Sequence, residues 1–119
     1  MTFKEAIVKV LTNYANFSGR ARRSEYWLFS LFNFVVAMAF SLLTAVTEAG
    51  FFSVLSTLFS LAVFIPGLAV TWRRLHDIGK SGGCYFIALV PLVGAILLIV
   101  WLATDSESGE NVYGPNPKE

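Results

Sequence analysis

Tyr26 to Thr47 contains no charged residue over 22 positions, and Phe51 to Trp72 repeats the pattern after only Glu48, Ala49 and Gly50. At about 1.5 Å per residue, each run as a helix covers the ~30 Å hydrocarbon core of a bilayer. The three-residue link leaves the two helices no choice but an antiparallel hairpin. A third apolar run, Cys84 to Thr104, contains Pro91 and Gly94. Proline and glycine are common inside spanning helices, so one kinked crossing is expected. Read as two short halves, the same run enters and leaves by one side, which returns the tail to the side of the basic loops. Only 14% of the 119 residues are charged and 55% are hydrophobic. A water-facing surface needs more charge than that, nearer ~25%.

Residues 1–17 differ in kind. Phe3, Ile7, Val10, Leu11 and Tyr14 share one helical face, with Lys4, Glu5 and Lys9 mostly elsewhere. The pattern predicts a short amphipathic helix, lying in the headgroup plane or packed on the protein by the same face. The expected architecture is therefore an all-α membrane protein in one domain. It has an interfacial helix over 1–17, transmembrane helices over 26–47, 51–72 and 84–104, and a polar tail over 105–119. The tail is rich in Gly and Pro and too poor in apolar residues to form a core. The first apolar run is too long for a cleaved signal and is expected to stay as an anchor.

Charge is concentrated in two stretches. Arg20, Arg22, Arg23 and Glu25 precede the first span; Arg73, Arg74, His76, Asp77 and Lys80 follow the second. The N-terminal segment has five Lys and Arg, the turn at Glu48 none, the central loop three and the tail one. With three crossings, the N-terminus and central loop share a side, eight basic residues against one. The positive-inside rule makes that side cytoplasmic and sends the tail outside. Both charged stretches then converge on one face as a cationic patch suited to anionic headgroups or a partner protein. Glu25 is placed to pair with a neighbouring arginine, and Asp77 to neutralise Arg73 or Arg74, with His76 capping the helix end.

The chemistry available is incomplete for catalysis. His76 is the only histidine, so a His76–Asp77 metal site lacks further ligands. Neither Ser81 nor Cys84 stands in a nucleophile-elbow pattern, and no phosphate loop or dinucleotide fingerprint occurs. One cysteine, Cys84, excludes an internal disulfide. No catalytic residue, metal or cofactor is therefore assigned, and nucleic acid is not expected as a partner. Three classes remain open. They are a structural or regulatory protein binding lipid or a partner, a small oligomeric transporter or channel, and a lipid-modifying enzyme using His76 and Asp77. Asn33 and the small polar residues Ser53, Ser56, Thr57 and Ser60 inside the spans motivate the second, by inviting a helix neighbour.

Three blocks carry a resemblance: Gly19-Arg20-Ala21-Arg22-Arg23-Ser24-Glu25-Tyr26-Trp27, then Arg73-Arg74-Leu75-His76-Asp77 with Ser81-Gly82, then Gly109, Asn111, Tyr113, Gly114 and Pro117. In this order and spacing the chain resembles the YhaH/YhaI-like family of small bacterial inner-membrane proteins. The resemblance implies a multi-pass protein of the cytoplasmic membrane and implies no activity. Family members often place aromatic residues directly after the Ser-Gly pair, where this chain has Gly83-Cys84 before Tyr85-Phe86.

Overall fold

A computed structural model describes residues 2–117. Met1, Lys118 and Glu119, including the tail's one basic residue, lie outside the described residues. Among the described residues, four α-helices form: α1 (Phe3–Thr12), α2 (Arg23–Thr47), α3 (Gly50–Asp77) and α4 (Val93–Ala103). A 3₁₀ segment, Gly82–Leu89, lies between α3 and α4.

The hairpin forms as expected. Glu48 ends α2 in the left-handed conformation (φ 54°), and α3 begins two residues later at Gly50. At 25 and 28 residues, α2 and α3 are about 38 and 42 Å long, enough to cross a bilayer. Most of their large apolar side chains face outward: Phe34, Leu42, Leu61 and Phe64 are all more than 60% exposed. In water that surface would be untenable; in lipid it is the stable arrangement.

Proline inside α3 creates a specific problem. Pro66 has no N–H, so the Ala62 carbonyl one turn back loses its helical donor. The Tyr14 hydroxyl supplies the replacement, donating to Ala62 O at 2.6 Å. This bond ties the segment after α1 to the middle of α3. Helix α1 itself is capped by Thr2, whose hydroxyl accepts from Glu5 N. It docks by Ala6 and Val10 against Ala21, Phe29 and Val70. Phe3 adds an edge contact with Phe32 of α2. The docking face is thus centred on Ala6 and Val10, while Val8 and Leu11 point outward.

The run over 84–104 departs from the single crossing expected of it. After the 3₁₀ segment the chain reverses at Pro91–Leu92. Leu92 has φ 62° and ψ −63°, and Val93 N donates to Pro91 O at 2.7 Å. These values define a classic γ-turn, a rare and strained reversal. Gly94 makes the return tight: a Cβ there would stand 1.7 Å from Ile87 O. Helix α4 has 11 residues, about 16 Å, half of what a crossing needs. It ends where the run began. Tyr85 and Phe86 pack on Trp72, and at the other end Leu102 O accepts from Trp27 Nε1 and Arg74 Nε, each at 3.0 Å. The physical cause is the Pro-Leu-Val-Gly sequence. Pro91 withholds a helical donor, and Gly94 lets the two halves touch.

Among its described residues the tail has neither helix nor strand, and its one regular feature is an isolated bridge between Asn111 and Gly114. Because α4 returns, the tail meets the open end of the hairpin. It does not lie at the opposite end, as the three-crossing arrangement required.

Candidate functional site

Arg73 to Asp77 form the last turn of α3 and not a loop. They stand beyond Trp72, past the uncharged run, and face the chain around Arg20 and the tail. The register is fixed by one backbone bond, Ala21 N to Arg73 O at 3.0 Å.

Asp77 is the hub. Its Oδ1 accepts from Arg20 Nε at 3.0 Å, and its Oδ2 accepts from Arg74 Nη1 at 2.8 Å and from the Ser106 hydroxyl. Its carbonyl accepts from Glu107 N and Arg20 Nη2. Asp77 and Arg74 are fully buried, and Arg20 is 7% exposed. Arg20 also donates to three tail carbonyls: Glu107 O at 2.6 Å, Gly109 O at 2.7 Å and Gly114 O at 3.2 Å. Arg74 adds bonds to Leu102 O and Ala21 O. Burial works against the charge on Arg74, and Asp77 is the main opposing influence.

A second pair lies beside the first. Arg73 Nη1 donates to Glu25 Oε1 at 3.0 Å, and Arg73 Nε donates to Asn16 O. Both partners are buried, Glu25 completely. The second atoms of this pair, Glu25 Oε2 and Arg73 Nη2, have no hydrogen-bond partner among the described residues; nor does Arg74 Nη2.

His76 is separate from its neighbour in sequence. Its Nδ1 donates to Gly19 O at 2.9 Å, so the proton sits on that nitrogen. Its ring stacks on Tyr113 with centroids 4.0 Å apart and planes parallel. Asn111 Nδ2 donates to the His76 carbonyl. Burial pushes the His76 pKa below its ordinary value, and the bond to Gly19 partly restores it. The imidazole and the Asp77 carboxylate therefore serve different partners and form no acid–base couple. His76 does not cap α3 with its side chain; it pins Gly19, whose φ of 87° suits glycine.

The remaining basic residues are peripheral. Arg23, exposed, reaches Ala103 O at 3.4 Å and Asp105 at 3.8 Å. Lys80 lies over the Trp101 ring at 4.7 Å. Arg22 is half-exposed at the N-terminal boundary of α2. Of the nine charged residues singled out in sequence, Arg20, Glu25, Arg73, Arg74, His76 and Asp77 form the buried junction. Arg22, Arg23 and Lys80 surround it. Among the described residues, no group of three or more His, Cys, Asp or Glu is placed to hold a metal ion.

All three motif blocks meet here: residues 19–27, 73–82 and 109–114. A family described as "Protein of unknown function (DUF805)" matches residues 14–115. The chain belongs to this family. Its relatives include inner membrane protein YhaI of Escherichia coli strain K12, 42% identical over 111 residues, covering 93% of each chain. Inner membrane protein YhaH of the same strain is 40% identical over 114 residues, covering 93% of this chain and 94% of the relative. No solved structure matches. Membership accords with the two spanning-length helices and attaches no reaction to the junction.

Reading the sequence alone brings the tail to the basic loops only under the re-entrant alternative, and does not name its contacts. Ser106, Glu107, Gly109 and Gly114 act mainly through backbone carbonyls or a hydroxyl, which side-chain chemistry does not advertise. The third motif block was the available signal, since Gly109, Asn111, Tyr113 and Gly114 all belong to it.

Proposed function

We propose that this is a structural or regulatory protein of the bacterial inner membrane. Its polar end is locked internally and contacts anionic lipid headgroups by its rim. The observation that supports this best is the division of the arginines. Arg20, Arg73 and Arg74 are consumed by Asp77, Glu25 and carbonyls, while Arg22, Arg23 and Lys80 keep solvent or headgroup access. The chain crosses twice, and residues 82–103 form a re-entrant loop. The N-terminal segment, the central loop and the tail then share the cytoplasmic side. That places the basic residues away from the turn at Glu48, as the positive-inside rule requires.

The test is lipid enrichment around the protein in nanodiscs of mixed phosphatidylglycerol and phosphatidylcholine, read by native mass spectrometry. Wild type should retain phosphatidylglycerol, and Arg22→Glu/Arg23→Glu/Lys80→Glu should lose that preference. Equal retention by both proteins would refute rim binding. A reporter fused after the tail and active only in the cytoplasm should be active; an inactive one would restore a third crossing.

One observation favours self-association as a second reading. Asn33 Oδ1 lies inside α2 with no partner among the described residues. An amide there is stabilised by a neighbouring helix. Asn33→Leu should weaken cross-linked oligomers if a second copy supplies that partner; unchanged cross-linking would remove this reading.

A further inference from the structure

In the buried junction Arg20 and Arg74 both contact one carboxylate, Asp77, while Glu25 is committed to Arg73; Asp105 adds a smaller favourable charge for Arg74. Among the described residues, the hydrogen bonds of the two terminal nitrogens of Arg20 go to neutral acceptors, the carbonyls of Asp77, Glu107, Gly109 and Gly114. Glu107 gives Arg20 its carbonyl only; its carboxylate lies over Gly79. Nearby, the fully buried Arg74 keeps Nη2 without a partner. A guanidinium in low dielectric binds an oxyanion more strongly than a carbonyl, and its planar fork matches phosphate oxygens.

The tail is held to the junction by polar contacts. Among its described residues it has no helix, and Asn116 is the one that is buried. It is attached by hydrogen bonds and by the stack of Tyr113 on His76, not by an apolar core. Ordering such a segment costs conformational entropy at every residue, with little apolar burial to offset it.

We propose that Arg20, backed by Arg74, forms a phosphate-binding site that the tail covers with its own carbonyls, so that a phosphate group and the tail compete for the same guanidinium. The site deepens the headgroup reading above, and rests on it only for the choice of phosphate as the anion. The phosphate belongs either to a lipid headgroup or to a soluble anion, and the experiment separates the two.

The full chain is placed in nanodiscs with Cys84→Ser and a spin label on Val112→Cys, a position 91% exposed. Inorganic phosphate is titrated against chloride at constant ionic strength. The label should mobilise saturably with phosphate and not with chloride. Tyr113→Ala removes the stack on His76 and should lower the half-point by roughly fivefold. Arg20→Lys keeps the charge, loses the fork and should abolish the phosphate-specific response. If that variant does not fold, the Tyr113→Ala comparison still decides. Identical responses to phosphate and chloride, or a half-point unmoved by Tyr113→Ala, would overturn the proposal. Nanodiscs containing phosphatidic acid, with no free phosphate, assign the source. A mobilised label there identifies the lipid, and mobilisation by free phosphate alone identifies a soluble anion. Both support the site. Rim binding by Arg22, Arg23 and Lys80 is read by lipid retention, so either idea can fail while the other stands.

Discussion

The two ends of the α2–α3 hairpin are held by opposite means. At the closed end, Glu48 and Ala49 join helices whose side chains are mostly exposed and apolar, with Phe40 and Phe59 among the few ring contacts nearby. At the open end, Glu25, Arg73, Arg74 and Asp77 are buried together and bonded to two other segments. The contrast teaches where a small membrane protein can store specificity. Apolar contacts between helices compete with equivalent contacts to lipid tails, so they discriminate weakly between arrangements. Lipid tails offer a buried guanidinium no substitute for its carboxylate. The polar end therefore fixes register and brings the tail home, while the apolar end tolerates sliding and substitution.

The strongest way to break this contrast is to remove the hub. Asp77→Ala leaves Arg20 and Arg74 buried without their shared carboxylate, and breaking a buried pair costs about 3–5 kcal/mol. Reversible unfolding in mixed micelles should show that loss, whereas Leu42→Ala at the closed end should be close to neutral. Comparable losses at the two sites would erase the distinction. Next in size is the Pro66 repair. Tyr14→Phe removes the donor to Ala62 O and should cost about 1–2 kcal/mol by the same assay, because it orphans a backbone acceptor. A smaller effect is expected from pH. His76 is held below its ordinary pKa of 6.5 when folded, so the unfolded chain binds its proton more readily. Its contribution is present above that unfolded value and is lost as pH falls through the folded one. The unfolding midpoint should drop between about pH 7.5 and about pH 5.5, and less so in His76→Gln. Smallest of all, Arg23→Ala should change stability by under about 0.5 kcal/mol, since its contact with Asp105 is exposed. A larger value would move Arg23 from the rim into the junction.

The sequence made the hairpin legible because length and absence of charge are properties of whole segments. The 22 uncharged residues from Tyr26 to Thr47 determine the outcome whatever their detailed packing. Charge convergence was legible too, since a three-residue link forces residues 20–25 and 73–77 to one end. The partners were legible only in part. Of the two arginines expected for Asp77, Arg73 or Arg74, it meets Arg74, joined by Arg20, while Glu25 meets Arg73 far along the chain and not a neighbouring arginine. Residues 73 and 74 point about 100° apart on a helix, and only the placement of α2 and the tail decides which acid each meets. The return of the third apolar run was open for a similar reason. Pro91 and Gly94 permit both a kink and a reversal, and residue type alone does not choose between them.

Arg20 reaches its tail carbonyls across sequence separations of 87, 89 and 94 residues. In a growing chain, translation at about 5–20 residues per second delivers those carbonyls roughly 5–20 s after Arg20 has left the ribosome. During that interval Arg20 has a membrane-anchored hairpin forming beside it and an incomplete set of acceptors. It must stay in water, or be held by whatever escorts the chain into the bilayer. Closure of the polar end is thus a late event, available only to a molecule whose synthesis has passed residue 114. A product truncated before that point would lack the Gly114 carbonyl among the acceptors of Arg20.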